Sequence, residues 1–111
     1  MKRVAVLVSG GGTNLQALLE SEARGENPGG KIVLVVASKP GVYALERAAN
    51  FGVETAVVAR KEYADSEAFD AALLDTLQSH NIDVVVLAGF LSVLGPRVIE
   101  AYRNRILNVH P

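Results

Sequence analysis

Short, uninterrupted apolar runs alternate along this chain with stretches whose apolar residues recur at helical spacing. Residues 4–8 read VAVLV, a β-branched run with no polar interruption, which predicts a strand buried on both faces. Leu15, Leu18 and Leu19 then repeat as one face of a helix. A second buried strand is predicted at 32–36, entered through the turn chemistry of Asn27, Pro28, Gly29 and Gly30. Leu45, Ala48 and Ala49 predict a second helix closed by Gly52, and a third strand follows at 53–58. Phe69, Ala72, Leu73, Thr76 and Leu77 define a third helix, with Asp65 or Ser66 placed to cap it. The run VVVLA at 84–88 predicts a fourth strand, Pro96 suits the first turn of a helix over 96–101, and 106–109 is a fifth strand.

The order βαβαβαβαβ predicts one α/β domain over residues 1–111. Its expected form is an open, parallel, Rossmann-like sheet of about five strands with right-handed crossovers and helices on both faces. The first strand of such a sheet lies centrally, and ligands bind beyond the carboxyl ends of the strands where the winding reverses. The segments to inspect are therefore 9–14, 89–95 and 108–111.

Composition removes several classes of function. Eleven basic residues against twelve acidic give no net positive charge for holding a polyanion. The absence of cysteine excludes disulfides, thiolate nucleophiles and cysteine-based metal sites. His80 and His110 stand far apart in the sequence, so no metal site is expected. The apolar run after Met1 is too short for a signal sequence, and no stretch approaches a bilayer span, so a cytoplasmic location is expected.

The segment Ser9-Gly10-Gly11-Gly12-Thr13-Asn14 joins a buried strand to a helix N-terminus. Free amides and the helix dipole favour an anion there, and glycines let it approach the backbone. A capping box over residues 13–16 is the bland alternative, but capping alone does not call for three glycines. The loop lacks a Gly-Lys-Ser/Thr P-loop, and no acidic residue follows the second strand to hold a ribose hydroxyl, where the chain reads Ala37-Ser38-Lys39. A sugar phosphate fits better than a dinucleotide. Lys39 leaves a 2′-phosphorylated nicotinamide cofactor as a weaker option.

Strand alternation places Asn108 and His110 on one face. An amide donor beside a titratable imidazole suits a tetrahedral intermediate, with Pro111 holding His110 extended. A frayed strand end with an ordinary histidine is the alternative. The loop 89–95 is unusually apolar: Leu91, Val93 and Leu94 imply either a pocket for a flat ligand or a lid packed on the core. His80 reads as a helix-terminal histidine, Tyr63, Asp65, Glu67 and Asp70 as an acidic loop and first helical turn, and Glu46 and Arg47 as solvated helix-face charges.

Taken together, SGGGTNL at 9–15, VLAGFL at 86–91 and ILNVHP at 106–111 resemble the phosphoribosylglycinamide formyltransferase family of folate-dependent purine biosynthesis, along the whole chain. The resemblance implies that Gly11, Gly12, Thr13 and Asn14 hold the phosphate of glycinamide ribonucleotide. It implies that Leu91, Ser92, Val93 and Leu94, with Asn108, form the folate site, largely through backbone contacts. Asn108 would stabilise the oxyanion and His110 would transfer the proton as 10-formyltetrahydrofolate gives its formyl group to the glycinamide amine. No metal is implied. Some family members carry a basic residue where this chain has Ser66, and often an arginine where it has Ser92; a folate contact made through the backbone at Ser92 would survive that change. The family pattern continues past His-Pro to an aspartate that orients the histidine. The chain is therefore expected to be roughly the N-terminal half of such an enzyme, weak or inactive without a C-terminal half and with an uncovered fifth strand. A non-catalytic phosphosugar-binding module is the alternative.

Overall fold

The computed structural model describes residues 1–26 and 29–109. Asn27 and Pro28 of the predicted turn, and His110 and Pro111 at the predicted site, lie outside the described residues. The elements run β1 (Lys2–Val8), α1 (Thr13–Ala23), β2 (Gly30–Ala37), α2 (Tyr43–Asn50), β3 (Glu54–Val57), a 3-10 turn (Arg60–Glu62), α3 (Ser66–Ser79), β4 (Val84–Ala88), α4 (Pro96–Ala101) and β5 (Ile106–Val109). All neighbouring strands pair in parallel, in the order β3-β2-β1-β4-β5. The expected α/β fold with β1 at the centre is therefore found. The chain winds outward from β1 to β3, then returns to β4 on the other side, and the switch point lies between β1 and β4.

Two apolar layers sandwich the sheet. Ala5, Leu7, Leu34, Val36 and Val85 face Phe69, Leu73 and Leu77 of α3 and Val98 of α4. Val6, Val8, Val35, Ala37 and Val86 face Leu15 and Leu19 of α1 and Ala44 and Ala48 of α2. Burial of each such leucine contributes about 1.5–3 kcal/mol. A register shift opposite Val4 and Ala5 skips Val33, so Val33 and Leu34 both reach the α3 layer while Ile32 and Val35 reach the other.

Helix ends follow local chemistry. Asp65 caps α3 by accepting from the Ala68 amide at 2.8 Å, which decides between the two predicted caps. Gly52, at φ 72°, closes α2: its amide reaches Ala49 O at 3.0 Å and the Val53 amide reaches Ala48 O at 3.0 Å. His80 ends α3 as expected, with Nδ1 2.8 Å from Thr76 O and Nε2 2.7 Å from Glu54 on β3. The Thr76 carbonyl first, then the Glu54 carboxylate, raise its pKa above the usual histidine value, because both accept from the protonated ring.

One part of the sheet is bare. The α1–α2 layer covers β1, β2 and the carboxyl end of β4, where Val86 and Ala88 are buried, but among the described residues no helix covers β5 or the Val84 end of β4 on that side. A groove of about 230 Å³ opens there, lined by Val4, Val6, Leu18, Val84, Leu107 and Val109 among others, and Leu107 is 60% exposed. No helix among the described residues is long and apolar enough to cross a membrane.

Candidate functional site

The carboxyl end of β1 opens directly into the glycine loop. Gly12 is the residue before α1 and holds φ at 81°, a left-handed conformation. A Cβ there would stand 2.7 Å from Ala44 Cβ and 3.0 Å from Ala44 Cα, so α2 itself forbids a side chain. Gly10 and Gly11 differ: a Cβ added to either would meet nothing within 4 Å. The loop is braced by Ala44 N donating to Gly10 O (3.4 Å) and by Gln16 N donating to Gly12 O (2.8 Å), the first bond of α1. Among the described residues, the amides of Gly11, Gly12, Thr13 and Asn14 have no backbone or side-chain acceptor. Amides gathered at a helix N-terminus are suited to an anion.

The capping box does not form. Thr13 is already inside the helix and no side chain caps α1. Gln16 instead spans outward, donating to Glu20 (3.1 Å) and accepting from Arg47 Nη1 (3.3 Å). Arg47 is accordingly no solvated charge: its Nε donates to Gly11 O at 2.7 Å and its guanidinium lies 4.8 Å from the Tyr43 ring centroid. Glu46 remains exposed on α2.

Two buried hydroxyls tie the loops together. Ser9 Oγ and Ser38 Oγ are 2.7 Å apart, and Ser9 Oγ accepts from the Leu91 amide at 2.8 Å. The Ser9 amide also donates to Gly89 O at 3.2 Å. Segments 9–14 and 89–95 are thus side by side at the switch point. Sequence reasoning missed Ser38 because its partners are distant in the chain; a serine closing an otherwise apolar strand was the available signal. Lys39, beyond it, is exposed.

The apolar loop divides between its two predicted readings. Phe90 and Leu94 pack on the α3–α4 layer, whereas Leu91 and Val93 are 80% and 82% exposed. Ser92 is half-buried. The far end of the loop is fixed by Asp70, which is 1% exposed. Its Oδ1 accepts from Gly95 N (3.1 Å) and Val98 N (3.3 Å), and its Oδ2 from Arg97 N (2.9 Å). Asp70 therefore caps α4 from α3, a correction to its reading as a charge on the first turn of its own helix. Tyr63 packs edge-on against Phe69, with ring centroids 6.1 Å apart. Glu67 pairs with Arg97 at 3.2 Å beside a small pocket that also includes Ser66, Asp70, Gly95 and Pro96.

Asn108 stands opposite Leu87 in the β4–β5 register and is exposed. It shares a face with Ile106, which packs on the α3–α4 layer, while Leu107 and Val109 line the bare groove. The strand alternation expected for Asn108 is present; its expected companion His110 lies outside the described residues. Among the described residues no cluster of three or more His, Cys, Asp or Glu could hold a metal ion.

The molecule is thus a doubly wound parallel α/β sheet whose amide-lined loop and apolar loop are bound to each other at the switch point. Residues 2–111 match the formyl transferase family, and the chain belongs to it. It is 40% identical to the phosphoribosylglycinamide formyltransferase of Haemophilus influenzae over 111 residues, all of this chain and 52% of that protein. It is also 43% identical to a trifunctional purine biosynthetic protein of Chironomus tentans, covering 99% of this chain and 8% of that protein. The crystal structure of glycinamide ribonucleotide transformylase 1 from Symbiobacterium toebii matches with a TM-score of 0.93 and 41% identity, over 100% of this chain and 52% of that one. The chain thus spans about half the length of its single-function relatives.

Proposed function

We propose that this chain supplies the substrate-binding loops and the oxyanion donor of a cytoplasmic enzyme that transfers a formyl group from 10-formyltetrahydrofolate to the amine of glycinamide ribonucleotide. The observation that carries this reading is the bond from Leu91 N to Ser9 Oγ, which seats an anion loop and an exposed apolar loop against each other. Gly11, Gly12, Thr13 and Asn14 hold the ribonucleotide phosphate through backbone amides. Leu91, Ser92, Val93 and Leu94 receive the flat ring of the folate. The ribonucleotide amine then attacks the formyl carbon. The Asn108 amide donates to the oxyanion, and His110 takes the proton released by the attacking nitrogen. Collapse breaks the bond to the folate nitrogen, which leaves protonated as tetrahydrofolate.

Residues beyond this chain complete the enzyme in this account. The bare groove over β4 and β5, with Leu107 exposed, is suited to a further apolar layer. The 111-residue chain alone is accordingly weak in transfer. The test follows a ¹³C-labelled formyl group in the polypeptide that contains this chain together with its C-terminal half. Label is expected in the formamide of the ribonucleotide. Asn108→Ala is expected to lower kcat about 100- to 1,000-fold, the usual cost of losing an oxyanion donor, while leaving ribonucleotide affinity intact. Label appearing as free formate would identify a hydrolase and contradict the proposal. Ribonucleotide binding with no transfer would leave only a phosphosugar-binding module.

A further inference from the structure

Arg47 belongs to α2, yet its strongest bond is to the glycine loop, where Nε donates to Gly11 O at 2.7 Å. The peptide joining Gly11 to Gly12 is planar and trans, so its carbonyl and its N–H point in opposite directions. Drawing the Gly11 carbonyl toward α2 therefore turns the Gly12 N–H away from α2, to the open side of the loop. Among the described residues no other side chain bonds to this peptide. Gly10 and Gly11 bring no side chain of their own to hold it, and a Cβ built on either would meet no atom within 4 Å.

The guanidinium is itself held on three sides. Gln16 Oε1 accepts from Nη1 at 3.3 Å, and Glu20 fixes the orientation of that amide by accepting from Gln16 Nε2 at 3.1 Å. The Tyr43 ring lies against the guanidinium, 4.8 Å from its carbon. A side chain so restrained loses little entropy in holding the loop.

We infer that Arg47 is a positioning residue for the phosphate loop, acting through the Gly11 carbonyl to aim the Gly12 amide at the phosphate of the substrate. The inference rests on the ribonucleotide reading of the loop. It assigns the effect to the Nε hydrogen bond and not to the positive charge. Glutamine separates the two, because its Nε2 lies as many bonds from Cα as the Nε of arginine and offers the same donor without the charge. Methionine keeps similar bulk with neither donor nor charge.

The experiment titrates ribose 5-phosphate into the wild-type chain and its Arg47→Gln and Arg47→Met variants. Affinity and the amide shift of Gly12 are recorded, with ribose as the unphosphorylated control. Arg47→Met is expected to bind about tenfold more weakly, in line with the loss of one hydrogen bond, and to lose the ligand-induced Gly12 shift. Arg47→Gln is expected to restore the shift and bring affinity to within about threefold of wild type. Equal affinity in wild type and Arg47→Met would overturn the inference and leave the phosphate site standing. Glutamine binding as weakly as methionine would also overturn it, assigning the effect to charge. Failure of the wild-type chain to distinguish ribose 5-phosphate from ribose would overturn the ribonucleotide reading itself.

Discussion

Asp70→Ala is expected to lower the free energy of unfolding by about 3–4 kcal/mol, although the residue lies outside loops 9–14 and 89–95. Its carboxylate accepts from three backbone amides at the start of α4, and the truncation leaves all three without an acceptor. A buried donor left unpaired costs about 1–3 kcal/mol, and the lower end applies to the partly solvated amides of Gly95 and Arg97. Asp70→Asn keeps the volume and one acceptor oxygen but turns an NH2 group toward the remaining donors, for an expected loss of about 2 kcal/mol. Urea unfolding reads both as a lower midpoint at constant m-value. An alanine variant within about 0.5 kcal/mol of wild type would show that water replaces the carboxylate without penalty. The site is affected as well, because Gly95 ends the loop that presents Leu91 and Val93. A Cβ at Gly95 would collide with the same carboxylate, so the loop end and the cap fit only as a pair.

Gly12→Ala is the second large effect, with an expected loss of about 3 kcal/mol. The left-handed φ of 81° costs a residue with a side chain about 1–2 kcal/mol. The new methyl group must also displace Ala44, 2.7 Å away at Cβ, for a further cost of about 1–3 kcal/mol. A double-mutant cycle separates the two contributions. Ala44→Gly removes the obstructing methyl group, so the pair is expected to show a favourable coupling of about 1–2 kcal/mol, with the backbone cost remaining. Zero coupling would mean that the contact with α2 is not the source of the loss. Under the proposed function, ribonucleotide affinity is expected to fall together with stability.

The architecture was legible in the sequence because doubly buried parallel strands write themselves as continuous runs such as 4–8 and 84–88. Once the strands are known, winding rules alone bring loops 9–14 and 89–95 together. What local pattern cannot contain is which distant partner a polar side chain will choose. Asp70 looks like a first-turn acid, but its partners are Gly95, Arg97 and Val98. Arg47 looks like a surface charge, but its partner is the Gly11 carbonyl. The capping box did not form either: Gly12, left-handed and packed on Ala44, takes the position before the helix, and Thr13 lies inside it. The uncovered fifth strand was expected only from the family resemblance; local pattern alone reads Leu107 and Val109 as core residues, and among the described residues no helix lies over them.

The most direct test of the account is titration of glycinamide ribonucleotide into the ¹⁵N-labelled 111-residue chain, following every backbone amide. The expected result is saturable binding with the largest shifts at Gly11, Gly12, Thr13 and Asn14, and no comparable shifts with the unphosphorylated nucleoside. Saturable shifts centred elsewhere, such as on Val84, Val86 and Leu107 over the bare groove, or equal responses to the phosphorylated and unphosphorylated ligands, would contradict it.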